Sequence, residues 1–400
     1  MYKYLKLILD YISYFLANIN FYLFIKKLKS DKINKDTNFF LFDEGGYGIL
    51  CMATKCLKIL NKKNKWKLIV AYNPSRHNRE LSKIQNNIHF IQIGFKFNKY
   101  TENLRLKKKI INNFKKKIEK ISYKNVFFYS EFLKEKFNTP PDENFTNEKS
   151  GNYGSFKDIL KLINNEKNNL ITKKINLNLG QDENKIKVAI KIRNKGKKFK
   201  EVGGILRDSS DLNHYKSIIE KISKENFQVF IGGDFDSLNC PEWFKQNKNI
   251  ILKNKNVKND IYNLYLDTNC EIIVGPMSGA TNFNVFTKKN QLIVDSYPIG
   301  FTWLNSTMSF RIVEKGLNSI EAIISNSNWP IENDLMTRNL TSNELEKVIY
   351  DFVINFDKSK VYGIDPKEIG VDKSHFNFSN AKLSPIWIDI QNRYLKQQNN

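Results

Sequence analysis

Short apolar runs rich in β-branched and aromatic residues alternate along this chain with longer stretches of helical spacing. In the first half, residues 39–42, 66–72, 88–93 and 126–129 read as strands, and 49–60, 76–85, 104–121 and 156–163 as helices. In the second half the runs at 186–192, 227–231, 250–252, 272–274 and 292–294 read as strands. Between them lie helices at 213–224, capped by Ser210 or Asp211, and at 260–266. Strand-helix alternation of this kind calls for parallel sheets with helices on both faces, and the pattern occurs twice. The expected fold is α/β, with two Rossmann-like domains. Beyond residue 300 the pattern is less regular. Thr341 followed three residues later by Glu344 marks a capped helix start, and a last helix, 385–395, is expected to pack back on the protein.

At 400 residues the chain has room for two domains, each able to bury a core. The expected division is an apolar N-terminal helix at 1–30, a first Rossmann-like domain at 31–180, and a second at 181–400 with the C-terminal helices. Residues 30–38 form a polar linker, 140–154 a loop over the cleft or a break in the domain, and 164–184 the connection between domains. Residues 5–25 are nearly all apolar or aromatic and are flanked by Lys3, Lys6, Lys26, Lys27 and Lys29. Asp10, Asn18 and Asn20 count against a full membrane span. The competing readings are such a span, a helix lying in the lipid headgroups, for which the Tyr, Phe and Lys content speaks, and a helix docked on the protein itself.

Composition narrows the function. The 41% hydrophobic and 13% aromatic content excludes a disordered chain, and the net charge of +24 points to anionic substrates or an anionic membrane surface as partners. The lysines are spread out, without the interleaved arginines and aromatics that read nucleic acid, so no nucleic-acid partner is expected. Cys51, Cys56, Cys240 and Cys270 form no C-x-x-C pair and lie far from His77, His89, His214 and His375. No metal site or resident cofactor is expected, and the thiols read as buried ones in a reducing compartment.

Candidate chemistry collects where strands run into turns. Residues 271–298 read as strand, turn, helix and parallel strand. The turn holds Ser278, Gly279 and Ala280, where a capping hydroxyl, open backbone and a helix N-terminus make an anion site the physical expectation. The strand at 39–42 runs into Asp43, Glu44, Gly45, Gly46, Tyr47 and Gly48, a glycine-rich turn carrying two carboxylates at a sheet edge. Its spacing is neither G-x-G-x-x-G nor a Walker A loop. The strand at 186–192 ends at Arg193, a basic loop leads to Arg207, and the strand at 227–231 ends at Gly232 and Gly233. Two guanidiniums near one sheet edge suit bidentate contact with a diphosphate. They equally suit ion pairs with Asp208, Asp211 or Asp234.

In order, Ile192-Arg193-Asn194, Leu206-Arg207-Asp208 with Tyr215, Ile231-Gly232-Gly233-Asp234, Asp260-Ile261-Tyr262, Cys270 and Gly275-x-x-Ser278-Gly279 form a series. That series resembles a GT-B-like glycosyltransferase family of bacterial surface-polysaccharide (LPS and capsule) biosynthesis clusters, and Gly45-Gly46-Tyr47-Gly48 resembles its N-terminal glycine loop. The resemblance spans residues 39–298 and implies two Rossmann-like domains facing across a cleft. The donor side would hold a nucleotide-sugar through Arg193, Arg207, Gly232, Gly233, Ser278, Gly279 and Ala280. Gly45, Gly46 and Tyr47 would lie on the side of a glycan or glycolipid acceptor, with Glu44 or Asp43 as the base. It further implies metal-independent transfer of a sugar, at the cytoplasmic face of the cell membrane. The family's pattern has a histidine ahead of the first arginine, where this chain has Ile190, Lys191 and Ile192. That departure leaves two other readings open: a membrane-associated, non-catalytic binding or assembly protein with a degenerate site, and a nucleotide-sugar epimerase of the same fold.

Overall fold

The computed structural model describes residues 8, 11–12, 15–16, 18–26, 38–42, 66–72, 88–92, 112–113, 116, 126–128, 184–193, 208–209, 212–233, 242–253, 259–278, 281, 289–297, 305–325, 336–371 and 380–398. The chain divides into two compact units, Met1–Phe145 with Lys149–Asp158, and Thr146–Glu148 with Ile159–Asn400.

In the first unit, β1 (Asn38–Phe42), β2 (Trp66–Tyr72), β3 (Ile88–Gln92) and β4 (Val126–Phe128) form a parallel sheet in the order β3-β2-β1-β4. The four strands expected from the apolar runs are thus present, each within one or two residues of its expected ends. Residues 18–26 are helical, as are 8, 11, 12, 15 and 16. No helix of the described residues is long and apolar enough to cross a membrane.

The second unit is built on seven parallel strands. They are β5 (Ile186–Ile192), β6 (Phe227–Gly233), β7 (Ile250–Leu252), β8 (Ile272–Gly275), β9 (Gln291–Ser296), β10 (Ser306–Phe310) and β13 (Lys382–Leu383). Their order is β13-β10-β9-β8-β5-β6-β7. A separate antiparallel pair joins β11 (Ile312–Lys315) to β12 (Met336–Arg338). The helices are α1 (Lys216–Ser223), α2 (Glu242–Gln246), α3 (Asn259–Asn269), α4 (Ile320–Ser325), α5 (Ser342–Ile354) and α6 (Pro385–Gln398).

A strand's side chains alternate between faces, and β5 displays that rule with both faces covered. Val188, Ile190 and Ile192 join the larger core with Ile218, Ile219 and Ile222 of α1, Val348 and Phe352 of α5, and Trp387 of α6. Ala189 points the other way, into a smaller core with Tyr262, Tyr265 and Leu266 of α3. The same parity assigns Lys191 to the α3 face, where Asp267 of α3 pairs with it.

Three expectations need amendment. The helix expected at 213–224 is split into a 3-10 turn, Leu212–Tyr215, and α1 from Lys216. The N-cap of α1 is Tyr215, whose side chain makes no capping bond, and not Ser210 or Asp211. The C-terminal region is more regular than its pattern suggested, because β10 is fully buried despite the sequence STMSF. Two of its three hydroxyls are satisfied from within: Gln291 Nε2 donates to Ser306 Oγ at 3.0 Å, and Thr307 Oγ1 donates to the Tyr362 carbonyl at 2.6 Å. The expected capping box is present at α5, with Glu344 N donating to Thr341 Oγ1 at 3.3 Å and Thr341 N to Glu344 Oε2 at 2.8 Å. The expected helix at 385–395 is α6.

Candidate functional site

The chain lays down β5, β6 and β7 in one direction across the sheet, then returns to place β8, β9 and β10 on the other side of β5. By the right-handed crossover rule, connections made in the two directions pack on opposite faces of the sheet, as α1 and α3 do, and the direction reverses between β5 and β8. Such a switch point is where open α/β sheets leave a crevice for ligands. Of the residues that follow these strands, Arg193 after β5 and Ser278 after β8 come from the expected donor-side set.

Arg193 is held from three sides. Its N–H donates to Ser209 Oγ at 3.0 Å, its carbonyl accepts from Ser209 N at 2.9 Å, and its Nη1 donates to Asp208 Oδ1 at 2.5 Å. The side chains are 12% and 3% exposed, so the pair is nearly sealed. Of the two roles left open for Arg193, the ion pair with Asp208 is thus realised. Close by in sequence, burial holds the Tyr215 hydroxyl far above the ordinary tyrosine range, with Asp295 adding to the rise.

Ser278 is part of a tight turn stapled by a residue absent from the expected set, Thr281. Thr281 Oγ1 donates to the Pro276 carbonyl at 3.0 Å and accepts from Ser278 N at 3.2 Å, and Thr281 N donates to the Ser278 carbonyl at 3.1 Å. One backbone donator of the turn is therefore spent inside the protein. A threonine three residues after a serine in a strand-to-helix turn is the sequence signal that was there to be read.

Gly232 and Gly233 have structural reasons to be glycine. A Cβ on Gly232 would lie 2.2 Å from Leu266 Cδ1 of α3. Gly233 has φ +89°, a Cβ there would lie 2.1 Å from the Ile192 carbonyl oxygen, and its N–H donates to Asn263 Oδ1 at 2.8 Å. Asn263 returns a bond from Nδ2 to the Gly233 carbonyl at 3.2 Å. Both glycines bring α3 and β5 close beneath the end of β6.

Under the switch point lies the Lys191 to Asp267 ion pair, fully buried. Burial raises the Asp267 carboxyl, while Lys191, and more distantly Lys289, pull it down. Burial lowers Lys289, which donates to the carbonyls of Thr268 at 2.9 Å and Cys270 at 2.6 Å and so satisfies the end of α3. Cys270 is a buried free thiol pushed up to about 12, as expected of an inert core cysteine. At the neighbouring strand ends, buried Arg311 donates to Thr337 Oγ1 at 3.1 Å, to the Thr337 carbonyl at 3.2 Å and to Asn339. Asp295, at φ 48°, accepts from Leu340 N at 2.7 Å. These groups tie the ends of β9 and β10 to the start of α5, a network the apolar pattern gave no sign of.

The structure thus brings Arg193, Gly232, Gly233 and Ser278 to the carboxyl ends of adjacent strands. Asp43, Glu44, Gly45, Gly46, Tyr47, Arg207, Gly279 and Ala280 lie outside the described residues.

No family model matches the chain, and no curated protein matches it. Among solved structures it is similar to a family 9 glycosyl transferase from Veillonella parvula, at 10% identity and a TM-score of 0.47 over 80% of this chain and 97% of that one. It is also similar to E. coli heptosyltransferase WaaC with ADP, at 8% identity and a TM-score of 0.43 over 79% and 98%. A third is the wall teichoic acid polymerase TagF, at 12% identity and a TM-score of 0.33 over 99% and 98%.

Proposed function

We propose that this protein is a nucleotide-sugar-dependent glycosyltransferase whose donor diphosphate sits at the switch point between β5 and β8, and whose acceptor is a glycan or glycolipid. The observation that carries the reading is the strand order β7-β6-β5-β8-β9-β10. It is the doubly wound order associated with dinucleotide-sized ligands, and here it sets Arg193 and Ser278 on the two strands that flank the crevice.

Sugar transfer expels a nucleoside diphosphate, so the developing charge has to be met in the transition state. In this proposal the guanidiniums of Arg193 and Arg207, with Ser278 and the turn amides of Gly279 and Ala280, meet it without a metal ion. The acceptor hydroxyl needs a base. Glu44 and Asp43 are the proposed groups, since they directly follow β1, the pivot strand of the sheet β3-β2-β1-β4. The acceptor side would include Gly45, Gly46 and Tyr47, and the two units would face each other as acceptor and donor domains.

Thermal unfolding in the presence of nucleoside diphosphates and nucleotide-sugars tests this reading. A ligand at about 100 times its Kd adds about 2.7 kcal/mol of stability, a readily measured shift. Arg193→Ala should reduce that shift. The absence of stabilisation by every nucleotide, or equal stabilisation of the variant, would remove the proposal or the residue respectively. The Asp208 carboxylate already holding Arg193 favours a second reading, a binding protein with a degenerate site. Nucleotide binding without turnover on any acceptor would select it, and a changed nucleotide-sugar without acceptor would select an epimerase.

A further inference from the structure

Residues 18–26, with 8, 11, 12, 15 and 16, place two opposed faces on one helical spacing. Phe21 is 1% exposed, so one side is held by the protein. On the other, Ile8, Tyr11, Ile12, Phe15, Ile19, Tyr22 and Leu23 are all exposed, Phe15 and Tyr22 at 65%. At roughly 100° per residue these seven fall within an arc of about 120°, and Phe21 lies opposite. Interfacial and docked were competing expectations for this segment. The exposures give the segment one buried face and one exposed apolar face.

An apolar stripe of seven large side chains exceeds the scattered single residues normal on a soluble surface. The structure points to an anionic lipid bilayer as its occupant: we propose that this face lies in the headgroup layer, parallel to the membrane. Tyr11, Phe15 and Tyr22 are the residue types that settle at that depth. Lys26 is exposed at the end of the stripe and is followed by Lys27 and Lys29, while Lys3 and Lys6 precede it, so cations bracket the apolar face at both ends. A second copy of the chain is a poorer occupant, because each copy carries +24. The segment is proposed to lie on the bilayer and not to cross it, since a span would carry Asp10, Asn18 and Asn20 into the hydrocarbon.

Flotation of the full chain with phosphatidylcholine vesicles, with and without phosphatidylglycerol, tests the proposal. Binding is expected to the anionic vesicles, and Lys26→Glu should weaken it by about fivefold or more. The double variant Phe15→Ser/Tyr22→Ser should weaken it by about tenfold or more while melting with the wild type, and a second pair, Ile12→Ser/Leu23→Ser, should behave alike. Absence of binding to anionic vesicles, or undiminished binding by both pairs, overturns the proposal. So does a wild-type dimer that either pair converts to monomer, which would make the stripe a contact between copies. Nucleotide-induced thermal shifts are read without vesicles, so this inference and the glycosyltransferase reading can fail separately.

Discussion

Replacing Lys191 by methionine isolates the strut beneath the candidate site. Lys191 is fully buried and Asp267, its partner, is 4% exposed at the side chain. One carboxylate oxygen of Asp267 accepts from Lys191, while the other, Oδ2, is buried without a hydrogen-bond partner. Lys191→Met keeps most of the stem's volume and strands that carboxylate. Breaking a buried pair in this way costs about 3–5 kcal/mol, or about 10 °C in the melting temperature of a unit this size. Lys191→Met/Asp267→Leu should restore most of the loss, since the second change removes the orphaned charge. The pH dependence has a definite sign. Asp267 is raised above 3.8 by burial, so its contribution to stability is full below the unfolded value and is lost as pH rises through the folded one. Without Lys191 the folded value climbs further, and the deficit of the single variant should shrink between about pH 8 and about pH 5. Thermal unfolding of wild type and both variants across that range is the assay. A deficit under about 1 kcal/mol, one that does not change with pH, or a double variant no better than the single one would refute the argument.

Gly233→Ala places a Cβ 2.1 Å from the Ile192 carbonyl at φ +89°, and should cost about 3 kcal/mol or more in chemical denaturation; a loss below about 1 kcal/mol would mean that β5 and β6 are not locked there. Thr341→Ala removes one half of the capping box of α5 and should cost about 1 kcal/mol, while Thr341→Ser should recover most of it; equal stability of all three would show that the box contributes nothing.

What the amino-acid pattern made legible was the part of the fold governed by apolar burial. The runs at 186–192, 227–231, 250–252, 272–274 and 292–294 lie on β5 to β9 because a parallel strand covered on both faces must be apolar along its length. β10 escaped because Ser306, Thr307 and Ser309 fill a buried strand, and bonds from Gln291 and to Tyr362 replace the apolarity that would have announced it. The candidate site was legible as positions and not as roles. The resemblance places Gly232 and Gly233 on the donor side, whereas Leu266, Asn263 and Ile192 press on them from within the fold. A pair of glycines at a strand end looks the same in sequence whichever neighbour demands it. Arg193 likewise had two roles open to it, and only the position of Asp208 beside it decides which is filled in the structure.

That pairing turns the role of Arg193 into a question with a sharp answer. If a diphosphate binds at the switch point, it competes with Asp208 for one guanidinium, because Nη1 is already committed at 2.5 Å. Asp208→Asn keeps a carbonyl acceptor in place and removes the competing charge. The ligand site then loses a nearby negative group, and affinity for a nucleoside diphosphate should rise by about fivefold or more, with a steeper dependence on ionic strength. A purely structural Arg193 to Asp208 pair predicts the opposite signature. The variant would lose about 3 kcal/mol of stability through removal of the counter-charge from a guanidinium that is only 12% exposed, and nucleotide affinity would not move. Titration calorimetry beside thermal unfolding separates the two. Unchanged or weakened binding in Asp208→Asn would take Arg193 out of the donor site and leave it as the clamp that closes residues 193–209 on themselves.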